Sequence, residues 1–321
     1  MKAIMWTKYG PPDVLQLLDV EKPTPKDDEV LIKVHAASAN TLDLQMRGGL
    51  TRLWSGLRKP RDPRLGRDIA GRVEAVGNNV TQFQPGDEVF GVCKGGFAEY
   101  AAAHENRLAL KPANSSFEEA ATAPVAAITA LQGLRDSGQI QPGQKVLING
   151  ASGGVGTFAV QIAKSFGAEV TAVCSTRNVD QASSLGADHV IDYTQEDFTR
   201  NGQQYDLILA VNGYHPILDY KRALSPKGIY VMVGGSRTHI FQALFQAMLV
   251  GPLISRTGGQ KMGFMGIEKI NQKELSFVKE LFEAGKVKPA IDRCYPLSET
   301  AEALRYLDEG HARGKVVIKV V

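Results

Sequence analysis

Three glycines carry the strongest chemical signal in this chain. Gly150, Gly153 and Gly156 recur every third residue within Val146-Leu147-Ile148-Asn149-Gly150-Ala151-Ser152-Gly153-Gly154-Val155-Gly156. The apolar run Lys145 to Asn149 precedes them, and helical spacing follows from Val155 to Phe166, with Gly167 placed to cap the helix. Glycines at such a strand-to-helix turn let the backbone fold tightly and approach a pyrophosphate. The first amides of the helix, aided by its dipole, then hold the anion. The spacing is G-x-x-G-x-x-G rather than G-x-G-x-x-G, and three glycines can also serve only to enter a helix. The strand before and the helix after favour a dinucleotide.

The next strand discriminates between dinucleotides. An NAD-binding fold places Asp or Glu about 20 residues on, where it accepts from the ribose hydroxyls. This chain reads Cys174-Ser175-Thr176-Arg177-Asn178 there, with no acid before Asp180. Ser175 can donate a hydrogen bond, and Arg177 can pair with a 2′-phosphate. NADPH is therefore the expected cofactor; the alternative is that Arg177 is only a solvated surface residue.

These residues need a parallel sheet to place them. Strands are expected at Lys145–Asn149, Val170–Cys174, His189–Ile191, Leu207–Val211 and Ile229–Val233, with helical segments between several of them. That alternation predicts an α/β layer with helices on both faces. The earlier chain differs. Glu29–Val34 alternates apolar and polar residues, Ala70–Val76 and Asp87–Val92 read as strands, and Gln84-Pro85-Gly86-Asp87 as a turn. Short strands between turns predict a barrel-like, mostly antiparallel domain. At the far end, Asn271–Ala284 has the pattern of a capped helix stopped by Gly285. A strand near Ile291, a helix over Ser298–Glu309 and a strand over Lys315–Val320 follow. We divide the chain into 1–122, 123–262 and 263–321, the last segment completing the first domain.

Composition narrows the classes. A chain of 321 residues exceeds what one core usually serves. Its net charge of +3 is too mild to indicate nucleic acid. The three cysteines, Cys93, Cys174 and Cys294, are too scattered for a short metal-ligand spacing and fit a reducing compartment. Met1 to Thr7 reads as a strand rather than an export signal, so a cytoplasmic location is expected. Phe241–Ile254 is interrupted by Gln242, Gln246 and Pro252, and is too short and polar to span a membrane.

Gly150–Gly156, Leu185-Gly186-Ala187-Asp188, Val190-Ile191-Asp192-Tyr193, Met1-Lys2-Ala3, Tyr9-Gly10 and Val30–Asp43 resemble the medium-chain dehydrogenase/reductases along essentially the whole chain. Leu65-Gly66-Arg67-Asp68, Val170–Ser175 and Gly310-His311-Ala312-Arg313-Gly314-Lys315 are similar to the quinone and enone reductase branch. That branch includes the mitochondrial reticulon-interacting reductases and their bacterial and chloroplast relatives. The resemblance implies a GroES-like β-barrel catalytic domain and a Rossmann doubly wound parallel-sheet domain for NADPH. It implies that Ser152, Gly153, Gly154, Val155, Ser175 and Tyr193 contact the cofactor. It further implies that Asn40 and Thr129 lie near the nicotinamide, and that His311, Ala312 and Arg313 fold over the cofactor. Val211 and Val233 end the fourth and fifth strands, where ligands of open α/β sheets usually lie. Each has a plainer reading: the valines as core, Tyr193 as a strand-end residue, His311 as a charge offsetting a helix dipole, and Asn40 or Thr129 as a partner of local backbone. Lys315 is ambiguous and receives no role.

In the zinc alcohol dehydrogenases of this superfamily, the catalytic metal is held by a Cys, the His of Gly-His-Glu and a later Cys. The corresponding positions here read Asn40 and Gly66-Arg67-Asp68, and Glu119 to Asp136 encloses no Cys, His, Asp or Glu. Zinc takes three such ligands, so none is expected. Without that Lewis acid, hydride transfer suits quinones and α,β-unsaturated carbonyls, whose developing charge is delocalised. Asn40 is the candidate catalytic donor. The expected partner is such a small molecule, and a homodimer stays open. Two rivals are kept: an alcohol or aldehyde dehydrogenase, and a non-catalytic NADPH-binding sensor or interaction protein. Seven basic residues from Arg47 to Arg67 form either a solvated loop or a lid attracting anions.

Overall fold

The computed structural model describes residues 1–45, 56, 58–235 and 238–321. Two compact units emerge: Met1–Val125 with Ile270–Gly285 and Pro289–Val321, and Ala126–Lys269 with Lys286–Lys288.

The first unit begins with an antiparallel pair, β1 (Lys2–Trp6) and β2 (Leu15–Asp19). Its main sheet takes β3 (Glu29–Ala39), β4 (Asp68–Val76), β5 (Glu88–Val92), β6 (Tyr100–His104) and β7 (Leu108–Leu110). β3 runs past the alternating stretch that ends at Val34. Residues 35–39, His-Ala-Ala-Ser-Ala, show no alternation, yet strands flank them on both edges, and Ala36 to Ala39 are buried. Glu29–Lys33 pairs with β6, Ala36–Ala39 with the last strand of the chain, and β4 lines the opposite edge.

The second unit is a six-stranded sheet. β8 (Lys145–Asn149), β9 (Glu169–Cys174), β10 (His189–Asp192), β11 (Tyr205–Ala210), β12 (Leu224–Met232) and β13 (Lys261–Phe264) lie in the order β10-β9-β8-β11-β12-β13. Every pairing is parallel. Val146, Leu147 and Ile148 are wholly buried, as expected for a strand covered on both faces. The helix Gly154–Ser165 buries Phe158, Ala159, Val160, Ile162 and Ala163 against the sheet, and Gly167 ends it in the left-handed region at φ 80°. The Phe241–Ile254 stretch lies within consecutive helical segments, Ile240–Phe245, Gln246–Val250 and Gly251–Thr257. Among the described residues no helix is long and apolar enough to cross a membrane.

The C-terminal segment then returns to the first unit. Asn271 caps the helix Gln272–Glu283 by accepting from the Glu274 amide at 3.1 Å. β14 (Ile291–Pro296) pairs parallel with β15 (Lys315–Lys319), and β15 pairs antiparallel with β3. The completed seven-stranded sheet has the order β14-β15-β3-β4-β5-β7, with β6 also on β3. Val316, Val317 and Ile318 are buried completely. The last strand is thus bound into the same sheet as β3, whereas β1 pairs with β2 in a sheet of its own.

Candidate active site

The sheet order of the second unit reverses between β8 and β11. In open α/β sheets ligands bind at that reversal, beyond the carboxyl ends of the strands. The glycine turn lies there. Gly150 has φ 89°, and a Cβ on it would lie 2.7 Å from the Asn212 amide nitrogen. A Cβ on Gly156 would lie only 2.1 Å from the Gly150 carbonyl oxygen. Gly153 caps the helix without a side-chain hydrogen bond, and a Cβ there would meet nothing nearer than 3.9 Å. Two glycines are therefore required by packing, whereas Gly153 borders open space. The amides of Gly154, Val155 and Gly156 begin the helix, where donors have no intrahelical acceptor.

Ser152 and Ser175 come together through a residue that sequence reading missed. Asn178 Nδ2 donates to Ser152 Oγ at 3.1 Å and to Ser175 Oγ at 3.0 Å. Asn178 is buried, and its Oδ1 has no hydrogen-bond partner in the described structure. Its place on the turn after β9 was the only available signal. Arg177 sits exposed on that turn, Thr176–Asn178. Tyr193, also exposed, donates its amide to the Cys174 carbonyl at 3.0 Å. Val211 and Val233 continue β11 and β12, their amides bonded at 2.9 Å to the carbonyls of Asn149 and Ala210. Ser152 to Val155, Ser175, Arg177, Tyr193, Val211 and Val233 thus gather at one end of the parallel strands. A carboxylate absent from Cys174–Asn178 does approach from β10. Asp192 accepts from the Thr176 hydroxyl at 2.6 Å and from the Thr194 hydroxyl at 2.8 Å. The Thr176 hydrogen bond, first among the causes, holds its pKa below the ordinary value. Thr129 is buried on the helix Ala123–Gln132.

In the first unit, Asn40 follows β3 within a buried polar cluster. Lys315 Nζ donates to Asn40 Oδ1 at 2.7 Å and to the Ala39 carbonyl at 3.0 Å, and lies 3.5 Å from Asp68 Oδ2. Asn40 Nδ2 donates to Asp68 Oδ2 at 3.0 Å, as does Ser38 Oγ, and the Val125 amide donates to Asp68 Oδ1 at 3.1 Å. The Asn40 amide donates to Asp43 Oδ2 at 2.8 Å. Burial raises the pKa of Asp68 against the pull of Lys315, and burial lowers that of Lys315 against the pull of Asp68. Asp43, likewise buried, is pushed up to about 6. Lys315 was set aside in the sequence; a lysine opening the apolar strand Lys-Val-Val-Ile was the signal available. His311 and Arg313 are exposed and Ala312 is half-buried. The Arg313 amide donates to Asp292 Oδ2 at 2.9 Å, and Tyr306 OH donates to the same atom at 2.7 Å. Within the stretch read as either a solvated loop or a lid, residues 46–55 and 57 lie outside the described residues. Arg64 makes a two-point pair with Asp62 at 2.7 and 2.8 Å.

Two family models match the chain: the alcohol dehydrogenase GroES-like domain over residues 26–113, and the zinc-binding dehydrogenase over 185–318. The chain is 34% identical to the mouse mitochondrial NAD(P)H oxidoreductase RTN4IP1, covering 100% of this chain and 89% of that protein. It is also 34% identical to the chloroplastic NADPH-dependent alkenal/one oxidoreductase of Arabidopsis thaliana, covering 99% and 79% respectively. Among solved structures it is similar to the quinone oxidoreductase of Coxiella burnetii. That match has a TM-score of 0.86 at 32% identity over 100% of this chain and 99% of the other.

Proposed function

We propose that this chain, which belongs to the quinone and enone oxidoreductase branch of the medium-chain dehydrogenase/reductase superfamily, uses NADPH to reduce quinones or the C=C bond of α,β-unsaturated carbonyls without zinc. Whole-length similarity to reductases of these two substrate classes carries the reading. We assign residues 123–262 to NADPH and residues 1–122 with 263–321 to catalysis.

The glycine turn fits a dinucleotide: Gly153 leaves room beside the first helical amides, and a buried Asn178 oxygen without a partner lies behind Ser152 and Ser175. The amides of Gly154, Val155 and Gly156 would hold the pyrophosphate, helped by the helix dipole. Ser175, Arg177 and Tyr193 would surround the adenosine 2′-phosphate. Thr129, Val211, Val233, Asn40 and the segment His311–Arg313 complete the contact set. NADPH supplies a hydride when bound.

Zinc does not fit the corresponding donors. Asn40 offers an amide, Arg67 a cation, and the Lys315 nitrogen lies 2.7 Å from Asn40 Oδ1 and 3.5 Å from Asp68. A zinc site needs deprotonated thiolate, imidazole or carboxylate ligands, with no competing cation among them. What remains is a neutral amide donor for a substrate oxygen that gains charge. A delocalised enolate or hydroquinone anion asks less of such a donor than a localised alkoxide does. Solvent can deliver the final proton, so no dedicated acid is required.

The assembly we favour is a homodimer formed through the second unit. Phe241, Phe245, Met248, Leu249 and Leu253 are exposed on one helical run, and Ile240 to Ser255 contains no charged residue. β13 beside it is a sheet edge. A neutral apolar surface meets a second copy of itself without like-charge repulsion, whereas a charged partner finds no counterpart there.

The test compares a linear enone with its saturated ketone, and includes a quinone, at one NADPH concentration. Turnover of the enone or quinone, with the saturated ketone slower by orders of magnitude in kcat/KM, is expected. Comparable turnover of ketone and enone would favour an alcohol dehydrogenase instead. NADPH binding without turnover of any acceptor would favour a sensor.

A further inference from the structure

We infer that Lys315 is a positioning residue that locks the side-chain amide of Asn40 with its Nδ2 available to the substrate oxygen. The inference rests on the reductase reading and names a part of its machinery that the sequence left without a role.

The geometry begins with the lysine. An ammonium has three protons to donate, and Lys315 Nζ has three acceptors: the Ala39 carbonyl, Asn40 Oδ1 and Asp68 Oδ2. The side chain is 4% exposed, so solvent contributes almost nothing to its satisfaction. Burying a cation is costly, and an apolar residue of similar volume is often as stable. The junction of β15 with β3 does not require it either, because Val316 to Lys319 already pair with Ala39 to Ala36.

The consequence falls on Asn40. An asparagine amide has nearly the same shape with its oxygen and nitrogen exchanged, so only its partners determine which way it faces. Here Oδ1 meets a group that can only donate, and Nδ2 meets the Asp68 carboxylate at 3.0 Å. Turning the amide over would set Nδ2 against Lys315 Nζ and Oδ1 against Asp68, two repulsive contacts in place of two hydrogen bonds. The orientation is held from both ends. Of the two Nδ2 protons, one goes to Asp68, and the other has only the Ser38 carbonyl at 3.5 Å, the limit of a hydrogen bond. Asn40 is also the most exposed member of the cluster, at 9%, against 0% for Ser38 and Asp68, 1% for Asp43 and 3% for Lys315. The weakly engaged proton therefore belongs to the residue best placed to meet a ligand. Lys315 at Oδ1 also draws electron density from the amide and strengthens Nδ2 as a donor.

A double-mutant cycle on the full chain tests this, with NADPH and a linear enone or a quinone as acceptor. Wild-type protein, Lys315→Met, Asn40→Ala and the double variant are compared in kcat, KM and NADPH affinity. Lys315→Met should lower kcat by up to about a hundredfold, the scale of a misplaced catalytic group. In the Asn40→Ala background the same substitution should change kcat by no more than about twofold, because its effect acts through an amide no longer present. An equal fold-loss in both backgrounds, or an unchanged kcat in Lys315→Met, would overturn the inference. If Lys315→Met does not fold, Lys315→Gln runs the same cycle by the same criterion; failure of both to fold assigns the lysine to the core alone and also overturns it. Absence of wild-type turnover on either acceptor class is a different result, since it removes the reductase reading itself.

Discussion

At Arg177 and Asp43, single side chains set measurable behaviour. Arg177 is exposed after β9, beside Ser175. Arg177→Ala should weaken NADPH binding by about tenfold, a charged hydrogen bond discounted for screening by solvent, and leave NADH affinity almost unchanged. Calorimetric titration with both cofactors checks this, and equal losses would remove the 2′-phosphate assignment. Asp43 acts on stability instead. Burial raises its pKa from 3.8 to about 6, so the folded state binds this proton more tightly than the unfolded state. Its stabilising effect is complete below pH 3.8, falls as the pH rises to about 6 and does not return above that. Asp43→Asn retains an oxygen for the Asn40 amide and removes the ionisation. It should therefore stabilise the protein above pH 6 by up to ~3 kcal/mol and have little effect near pH 3. Denaturant unfolding across that range gives the answer; a gain confined to low pH would contradict the sign.

The turn between β8 and its helix separates glycines that fold the element from one that leaves space for a ligand. A Cβ on Gly156 would collide with the Gly150 carbonyl oxygen at 2.1 Å, whereas a Cβ on Gly153 has no neighbour within 3.9 Å, and Gly153 has an ordinary φ of −81°. Gly156→Ala should cost about 1–3 kcal/mol or prevent folding. Gly153→Ala should leave the melting temperature nearly unchanged while reducing NADPH affinity, because the added methyl enters space assigned to the pyrophosphate. Thermal melting and cofactor titration of both variants distinguish the roles. A Gly153→Ala protein that binds NADPH normally would move the phosphate elsewhere. The motif and its flanking elements were legible because strand, turn and helix are local patterns. The extension of β3 to Ala39 was not, since these residues show no alternation and are strand only through pairing with β4 and β15.

At the level of the whole molecule, the proposed homodimer would form through the apolar run along residues 240–255. Its five exposed side chains, Phe241, Phe245, Met248, Leu249 and Leu253, give a second copy a surface that excludes water. The paired substitution Phe245→Asp and Leu249→Asp should convert a dimer to a monomer, because two copies would then bring like charges together. Sedimentation equilibrium of wild type and variant tests this. A wild-type protein that sediments as a monomer at micromolar concentration would refute the proposed interface.

The sequence by itself determined the glycine turn between strand and helix, the alternation that makes a parallel sheet, and the return of the last segment, the last through family resemblance. These are encoded in short spacings and in matches along the chain, so one dimension is enough to read them. Tertiary structure decided which polar residues meet. Asn178 joins Ser152 to Ser175 across 26 and 3 residues of chain, and Lys315 reaches Asn40 across 275. No local pattern announces such a pair. Lys315 looked like the first residue of a terminal strand until the pairing of β15 with β3 brought it beside Asn40 and Asp68. Burial then raises the energetic stakes: a lysine indifferent to its surroundings in water must, in the interior, satisfy every proton it carries.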